Sequence, residues 1–305
     1  MPRTPDEIPI YNRRFGRMET EQVYGRKWLD IFYGTAWGRV VTGWLLCRHP
    51  LSRLYGRMQR HPRSRAKIAS FVAQYGIDLS EVWVPPSGFD SFNDFFIRVH
   101  TAQARPIDPD PNAMISPADA RLSVFSIEAD TRLMIKGAAM SVPDLLGGAR
   151  LDDLFIGGTC LVYRLAPCDY HRFGYVDDGV QGPVHTIKGP LHSVNPLALR
   201  HKPDVHCTNY RHWCVVQSPQ WGTTVQVEVG AMMVGSVVQR QPHGGGCRRG
   251  QEKGYFQFGG STVIVLLEPH RLRVDADILE KSGQGIETLV RYGERVGCLS
   301  ASNSG

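Results

Sequence analysis

A chain of 305 residues, 42% hydrophobic and 21% charged, can bury a full core as one large domain or two modest ones, and it excludes a disordered or fibrous protein. Its seven cysteines are odd in number and scattered, with no C-x-x-C pair, which excludes a disulfide framework and points to a reducing compartment. The formal net charge of +6 is unevenly placed: Arg39, Arg48, Arg53, Arg57, Arg60, Arg63, Arg65 and Lys67 follow one another with no acidic residue between.

The opening stretch MPRTPDEIPIYNRR is polar, without an apolar run or a small-residue cleavage site, so no signal peptide is expected. No stretch reaches bilayer-spanning length. Residues 1 to about 80 carry apolar residues at helical spacing and are predicted helical. Trp28, Leu29, Ile31, Phe32, Tyr33, Trp37, Trp44, Leu45 and Leu46 lie just before and among the basic residues, the pattern of a helix resting on an anionic membrane surface. A solvated basic face is the bland alternative, and a nucleic-acid patch comes third because no reading motif follows.

Pro85-Pro86-Ser87-Gly88 is predicted as a loop, and FNDFFIRV (92–99) as a short amphipathic element ending in Arg98. From ARPIDPDPNAMISPADARLSVF onward, turn clusters alternate with strand-like runs at 121–127, 159–165, 213–217, 223–233, 236–240 and 262–267. The fold class expected is α+β. A helical, basic, membrane-associating region (1–88) precedes a largely antiparallel β catalytic body (89–305). His206, Cys207, His212 and Cys214 match no common zinc spacing and read as ordinary strand residues, so no metal is expected.

Four segments of the body carry polar residues that a plain sheet would not need. Asp119 lies in SPADARL, and Asp169, Tyr170, His171 and Arg172 follow a strand in RLAPCDYHRFGYVDDG. HTIKGPLHSVNPLALR supplies His185, Lys188, His192 and Asn195. In GYFQFGGSTVIVLLE, Tyr255, Phe256 and Phe258 could share one strand with Val263–Leu267, yet Gly259 and Gly260 interrupt it. Paired glycines there mark a bulge, a bend or a close backbone approach. Asp, His and Ser together suggest an activated serine, although free spacing makes that pattern common.

FNDFFIR, ARPID, SPAD, IKG, RLAPCDYHRF, HSVNP, VEVGA, VGS and EKGYFQFGGST occur in the order in which they occur in phosphatidylserine decarboxylase proenzymes. Across most of its length the chain resembles the bacterial Gly-Gly-Ser-Thr group of that family. The resemblance implies self-cleavage between Gly260 and Ser261 into chains 1–260 and 261–305. Ser261 would become a pyruvoyl group, the covalent cofactor. Its ketone would form a Schiff base with the substrate amine and accept electrons as carbon dioxide leaves. The implied enzyme is a carboxy-lyase converting phosphatidylserine to phosphatidylethanolamine. Its implied setting is peripheral, on the cytoplasmic side of an anionic phospholipid membrane, as a homodimer of cleaved heterodimers with no nucleic-acid partner.

Carried over residue by residue, the Asp of the family's SPADG pattern matches Asp119 and helps to activate the serine; the next residue, normally Gly, is Ala120. The family's DYHRxH pattern has two histidines. The first, linked to decarboxylation, matches His171. The second completes an Asp-His-Ser relay for self-cleavage, and its position holds Gly174. Three readings stay open. His171, His185 or His192 substitutes as base; the chain is an uncleaved, silent homologue that binds anionic lipid; or it is a pyruvoyl decarboxylase of another amine. Under the first, Gly174→His is expected to speed maturation.

Overall fold

The β-branched runs form the middle of an eleven-stranded sheet in the computed structural model, which describes residues 7–23, 26–42, 47, 49–128, 132–135, 138–232, 236–259 and 261–300. Trp44, Leu45, Leu46, Arg48, Met233 and Gly260, all used in reading the sequence, lie outside the described residues. The central strands run in the order Arg211–Ser218, Gly222–Gly230, Ser261–Leu267, Thr159–Leu165, Ala120–Ser126 and Glu287–Val290, each antiparallel to its neighbour. With 25% helix and 33% strand the chain is α+β, as expected.

Ser261–Leu267 is buried at every position because it has a core on each face. Val263, Val265 and Leu267 pack with Leu122, Leu165, Phe173, Phe256 and Ile278, whereas Ile264 and Leu266 pack with Val142, Leu145, Val162 and Val227. A strand covered on both sides needs a continuous apolar run rather than alternation, and Val-Ile-Val-Leu-Leu supplies it.

Three features differ from the sequence reading. Pro9–Asn12 and Arg17–Thr20 form a hairpin rather than helix, and the first pairs in parallel with Glu287–Val290. Ile8 and Ile10 are buried against Leu197 while Glu7, Pro9 and Tyr11 are more exposed, a period of two that the helical reading passed over. The helices of the N-terminal region begin later, at Arg26–Gly34, Ala36–Val41, His49–Arg60 and Ile68–Tyr75.

Second, Phe92–Phe96 is a single helical turn capped by Ser91, and Phe92, Asn93, Phe95 and Phe96 are all buried. Only Asp94 is partly exposed, because the turn is wedged against Phe71 and Phe258. Third, Glu252–Phe256 does not continue into Ser261–Leu267. It lies in a separate three-stranded sheet between Arg172–Gly174 and Val237–Gln239. The chain crosses between sheets at Gly259, whose φ of 139° is a conformation that side-chained residues rarely adopt. The glycines mark a change of sheet.

Candidate active site

Ser261 opens the central strand, opposite Gly230 on one side and Leu165 on the other. It is fully buried, and its Oγ has no hydrogen-bond partner among the described residues. An unmatched buried hydroxyl costs stability, so its retention at the end of a glycine turn calls for a chemical reason. Gly260, the other half of the expected cleavage site, lies outside the described residues.

His171 is tied to the strand that enters the same turn. Its backbone carbonyl accepts from the Phe256 amide, which fixes the DYHR segment to the strand entering the turn. The imidazole is fully buried and packs on the Phe96 ring, with centroids 3.9 Å apart. Nδ1 lies 3.0 Å from the Asp169 carbonyl oxygen, an acceptor only, so Nδ1 carries the proton. Nε2 is then a lone pair, and it has no partner among the described residues. Burial pushes the pKa down to about 3, with Arg98 and Arg121 adding to it, against the opposing pull of the Asp169 and Gly259 carbonyls. His171 is therefore a neutral imidazole whose Nε2, without a hydrogen bond of normal geometry among the described residues, lies toward the Gly259 carbonyl, two residues before Ser261.

Asp119 immediately precedes the Ala120–Ser126 strand. Its carboxylate receives Arg105 Nε at 2.8 and 3.0 Å and Arg105 Nη2 at 2.6 Å, and Oδ1 also accepts the Tyr292 amide at 2.8 Å. Burial alone would raise its pKa, but the Arg105 guanidinium and the Tyr292 amide hold it below the usual carboxylate range. Asp119 is thus an anchored anion. Ala120, Leu165 and Ser261 lie on adjacent strands, so Asp119 lies about two strand spacings, roughly 10 Å, from Ser261.

No side chain bridges that gap from position 174. Gly174 lies in the Arg172–Gly174 strand, and a Cβ there would overlap the Tyr292 hydroxyl and stand 2.7 Å from its Cζ. The hydroxyl donates to the Gly250 carbonyl at 3.0 Å. Tyr292 occupies the space, so Gly174→His alone meets a buried ring and is not accommodated, contrary to the expectation from sequence.

The other two histidines differ. His185 is exposed on the His185–Ile187 strand, stacked on Trp213 at 4.3 Å. It shares a rung with Trp213, Val227 and Ile264, which puts it three strand spacings, about 14 Å, from the Ser261 strand. The structure does not bring it to the site. His192 is half-buried and closer. Its backbone N–H and carbonyl are both bonded to the Asn209 side chain, which also donates to the carbonyl of Gly230, the partner of Ser261.

Sequence reasoning gave no role to Arg105 or Tyr292. Arg105 was within reach, as the only cation of the ARPID segment; nothing local marks Tyr292. The zinc candidates are accounted for otherwise. His212 bonds Tyr210 Oη at 2.8 Å, Cys214 lies in a buried cluster with Tyr175 and Val216, and the described residues hold no metal-binding group.

An α+β body that seats an unpaired buried serine beside a neutral, half-free imidazole on a glycine turn has the layout of a catalytic site. The family model described as phosphatidylserine decarboxylase matches residues 92–298. Proteins named phosphatidylserine decarboxylase proenzyme are 40% identical in Clostridium botulinum (strain Alaska E43 / Type E3) and in Clostridium perfringens (strain SM101 / Type A), over 95% of this chain and 98% and 99% of theirs. One from Desulfitobacterium hafniense is 38% identical over 95% of this chain and 98% of its own. The chain belongs to the phosphatidylserine decarboxylase family.

Proposed function

We propose that the chain is a proenzyme that cuts itself before Ser261 and decarboxylates phosphatidylserine to phosphatidylethanolamine through the resulting pyruvoyl group. The observation that carries this reading is the buried Ser261 Oγ without a partner, placed after Gly259 at a φ of 139°. Ser261 Oγ attacks the carbonyl carbon of residue 260 while His171 Nε2 takes the hydroxyl proton. The peptide C–N bond breaks, the nitrogen is reprotonated, and an ester remains. Loss of the Ser261 α-proton and of the C-terminal carboxylate of 1–260 then leaves a dehydroalanine. Its imine tautomer hydrolyses, releasing ammonia. The pyruvoyl group so formed supplies a ketone that condenses with the substrate amine and takes up the electron pair released with carbon dioxide.

Chains 1–260 and 261–305 stay together as a heterodimer because Ser261–Leu267 is hydrogen-bonded to a strand on each side. Homodimerisation belongs to the same proposal, on the family resemblance alone. A denaturing mass spectrum tests the reading: two pieces are expected, the smaller with a blocked pyruvoyl end. Borohydride should abolish activity. A single intact chain, or activity that needs added pyridoxal phosphate, overturns it. The closed position at Gly174 favours one rival, the silent lipid-binding homologue, which that intact chain would support.

Substrate delivery follows from the His49–Arg60 helix. Its outer face shows Arg53, Leu54, Arg57 and Met58, with Leu54 53% and Met58 58% exposed. Its inner side meets the site: the Tyr55 ring lies 5.5 Å from that of Phe258, and Arg60 Nη1 donates to Gln257 Oε1 at 3.1 Å. Arginines around two exposed apolar side chains suit an anionic bilayer surface, on the cytoplasmic side, and Trp37, 71% exposed, adds an aromatic anchor. No helix among the described residues is long and apolar enough to cross a membrane, so the proposed attachment is peripheral. Binding to phosphatidylserine vesicles should weaken at least tenfold in the Arg53→Ala/Arg57→Ala/Arg60→Ala variant and fall as salt rises. Equal binding to neutral vesicles argues against this face, and tight binding to duplex DNA would favour the nucleic-acid alternative.

A further inference from the structure

His192 is tied to the Gly222–Gly230 strand, one of the two neighbours of the Ser261–Leu267 strand. The Cys47 Sγ stands 3.0 Å from His192 Nδ1. Burial pushes the Cys47 thiol up to about 12, so the sulfur keeps its hydrogen. The Tyr33 hydroxyl, which accepts from the Ser193 amide at 2.8 Å, is also hydrogen-bonded to that sulfur. In the tautomer that takes the thiol hydrogen on Nδ1, the proton of the neutral ring is on Nε2. The ring is neutral because burial, with Lys202 nearby, brings its pKa down to about 4. With the thiol hydrogen on Nδ1, His192 has no free lone pair with which to act as base. It can only donate.

Its backbone is joined through one side chain to the strand partner of Ser261. Asn209 Nδ2 bonds both the His192 carbonyl and the Gly230 carbonyl at 2.8 Å, and Gly230 is paired with Ser261 on the adjacent strand, about 5 Å away. The Leu191 amide donates to the Cys47 carbonyl at 3.0 Å and His49 bonds the Gly189 carbonyl at 2.8 Å. The loop 189–195 is thus clamped between the N-terminal helices and the end of the sheet, with the His192 ring half-exposed.

We propose that His192 Nε2–H binds an anionic oxygen of the substrate headgroup, and that Cys47 is a positioning residue that holds His192 in the donating tautomer. The site then has two neutral imidazoles of opposite character, an acceptor at His171 and a donor at His192. The inference rests on the decarboxylase reading given above. The donor has two targets in phosphatidylserine, the serine carboxylate and the phosphodiester, and the product keeps only the second.

The test measures decarboxylation of phosphatidylserine in mixed micelles, with inhibition by phosphatidylethanolamine, on matured protein. His192→Ala is expected to raise KM at least tenfold with kcat changed less than threefold, and His192→Gln, which keeps a side-chain N–H, to recover much of the loss. Cys47→Ala should raise KM in the same sense and Cys47→Ser, which keeps a hydrogen to donate, should not. Weaker product inhibition alongside the higher KM assigns the phosphodiester; unchanged inhibition assigns the carboxylate. The proposal is overturned if KM stays within twofold of the original in His192→Ala, or if Gln behaves as Ala does. If the unmodified protein matures but decarboxylates nothing, the decarboxylase reading fails instead, which separates the two outcomes.

Discussion

His171→Ala should slow self-cleavage by roughly 10²–10⁴-fold, the range lost with a general base, while the chain still folds. The loss is expected to be this large because the described residues offer no second base: His185 is strands away, His192 Nδ1 is engaged by the Cys47 thiol, and position 174 is closed by Tyr292. A weakly basic imidazole suffices for a reaction each molecule performs once. The pH profile carries the same assignment. A base works in its deprotonated form, and lowering its pKa extends that form to lower pH. With His171 down at about 3, cleavage should be flat from pH 8 to 5 and decline only as pH approaches the lowered value. Cleavage followed by denaturing mass spectrometry after cell-free synthesis gives both results. A decline centred near pH 6.5, or unchanged cleavage in His171→Ala, would falsify the assignment.

The second large effect is on stability, at Lys253. Its ammonium and the Glu228 carboxylate form a 2.7 Å ion pair with both side chains fully buried, and the Gln239 amide bonds each of them. Glu228 pairs with Val263 across strands, so this charge pair lies two residues along from Ser261, on its side of the sheet. Lys253→Met leaves a buried carboxylate without its cation and should cost about 3–5 kcal/mol. Glu228→Gln added to it should restore most of that stability. Burial pushes the Glu228 pKa up, so the single variant can neutralise itself as pH falls; its defect should be larger at pH 8 than at pH 5. Urea unfolding at the two pH values measures this. A single variant within about 1 kcal/mol of the original would mean that water reaches the pair.

What the sequence shows best is what is encoded locally. The run expected at 159–165 is the strand Thr159–Leu165, and those at 121–127, 213–217 and 262–267 fall within two residues of observed strands. Consecutive β-branched residues between turn clusters leave few alternatives. The expected strand 223–233 ends earlier, at Gly230, where the Asn209 side chain takes the Gly230 carbonyl. The hairpin at 9–20 was missed because its place in the sheet is set by Glu287–Val290, whose paired positions lie 277 residues further on. The site divides in the same way. Ser261, Asp119 and His171 stand in recognisable short motifs. The hydrogen bond that sets His171 comes from Asp169, two residues away, but the partner of His192, the full engagement of Asp119 and the closing of position 174 depend on groups outside those motifs: Cys47, Arg105 and Tyr292.

The central position of Ser261–Leu267 bears on how the mature protein ages. The piece 261–305 contributes this strand, the Glu287–Val290 strand that joins the N-terminal hairpin to the sheet, and the helix Ala276–Gly283. While the chain is whole, these elements return to their places after any unfolding by a search within one molecule. Once it is cut, the same search is an encounter between two molecules, slowed by dilution and open to aggregation of the larger piece around its vacated middle. Maturation therefore converts a chain that can refold into one whose lifetime is set by its rate of first unfolding.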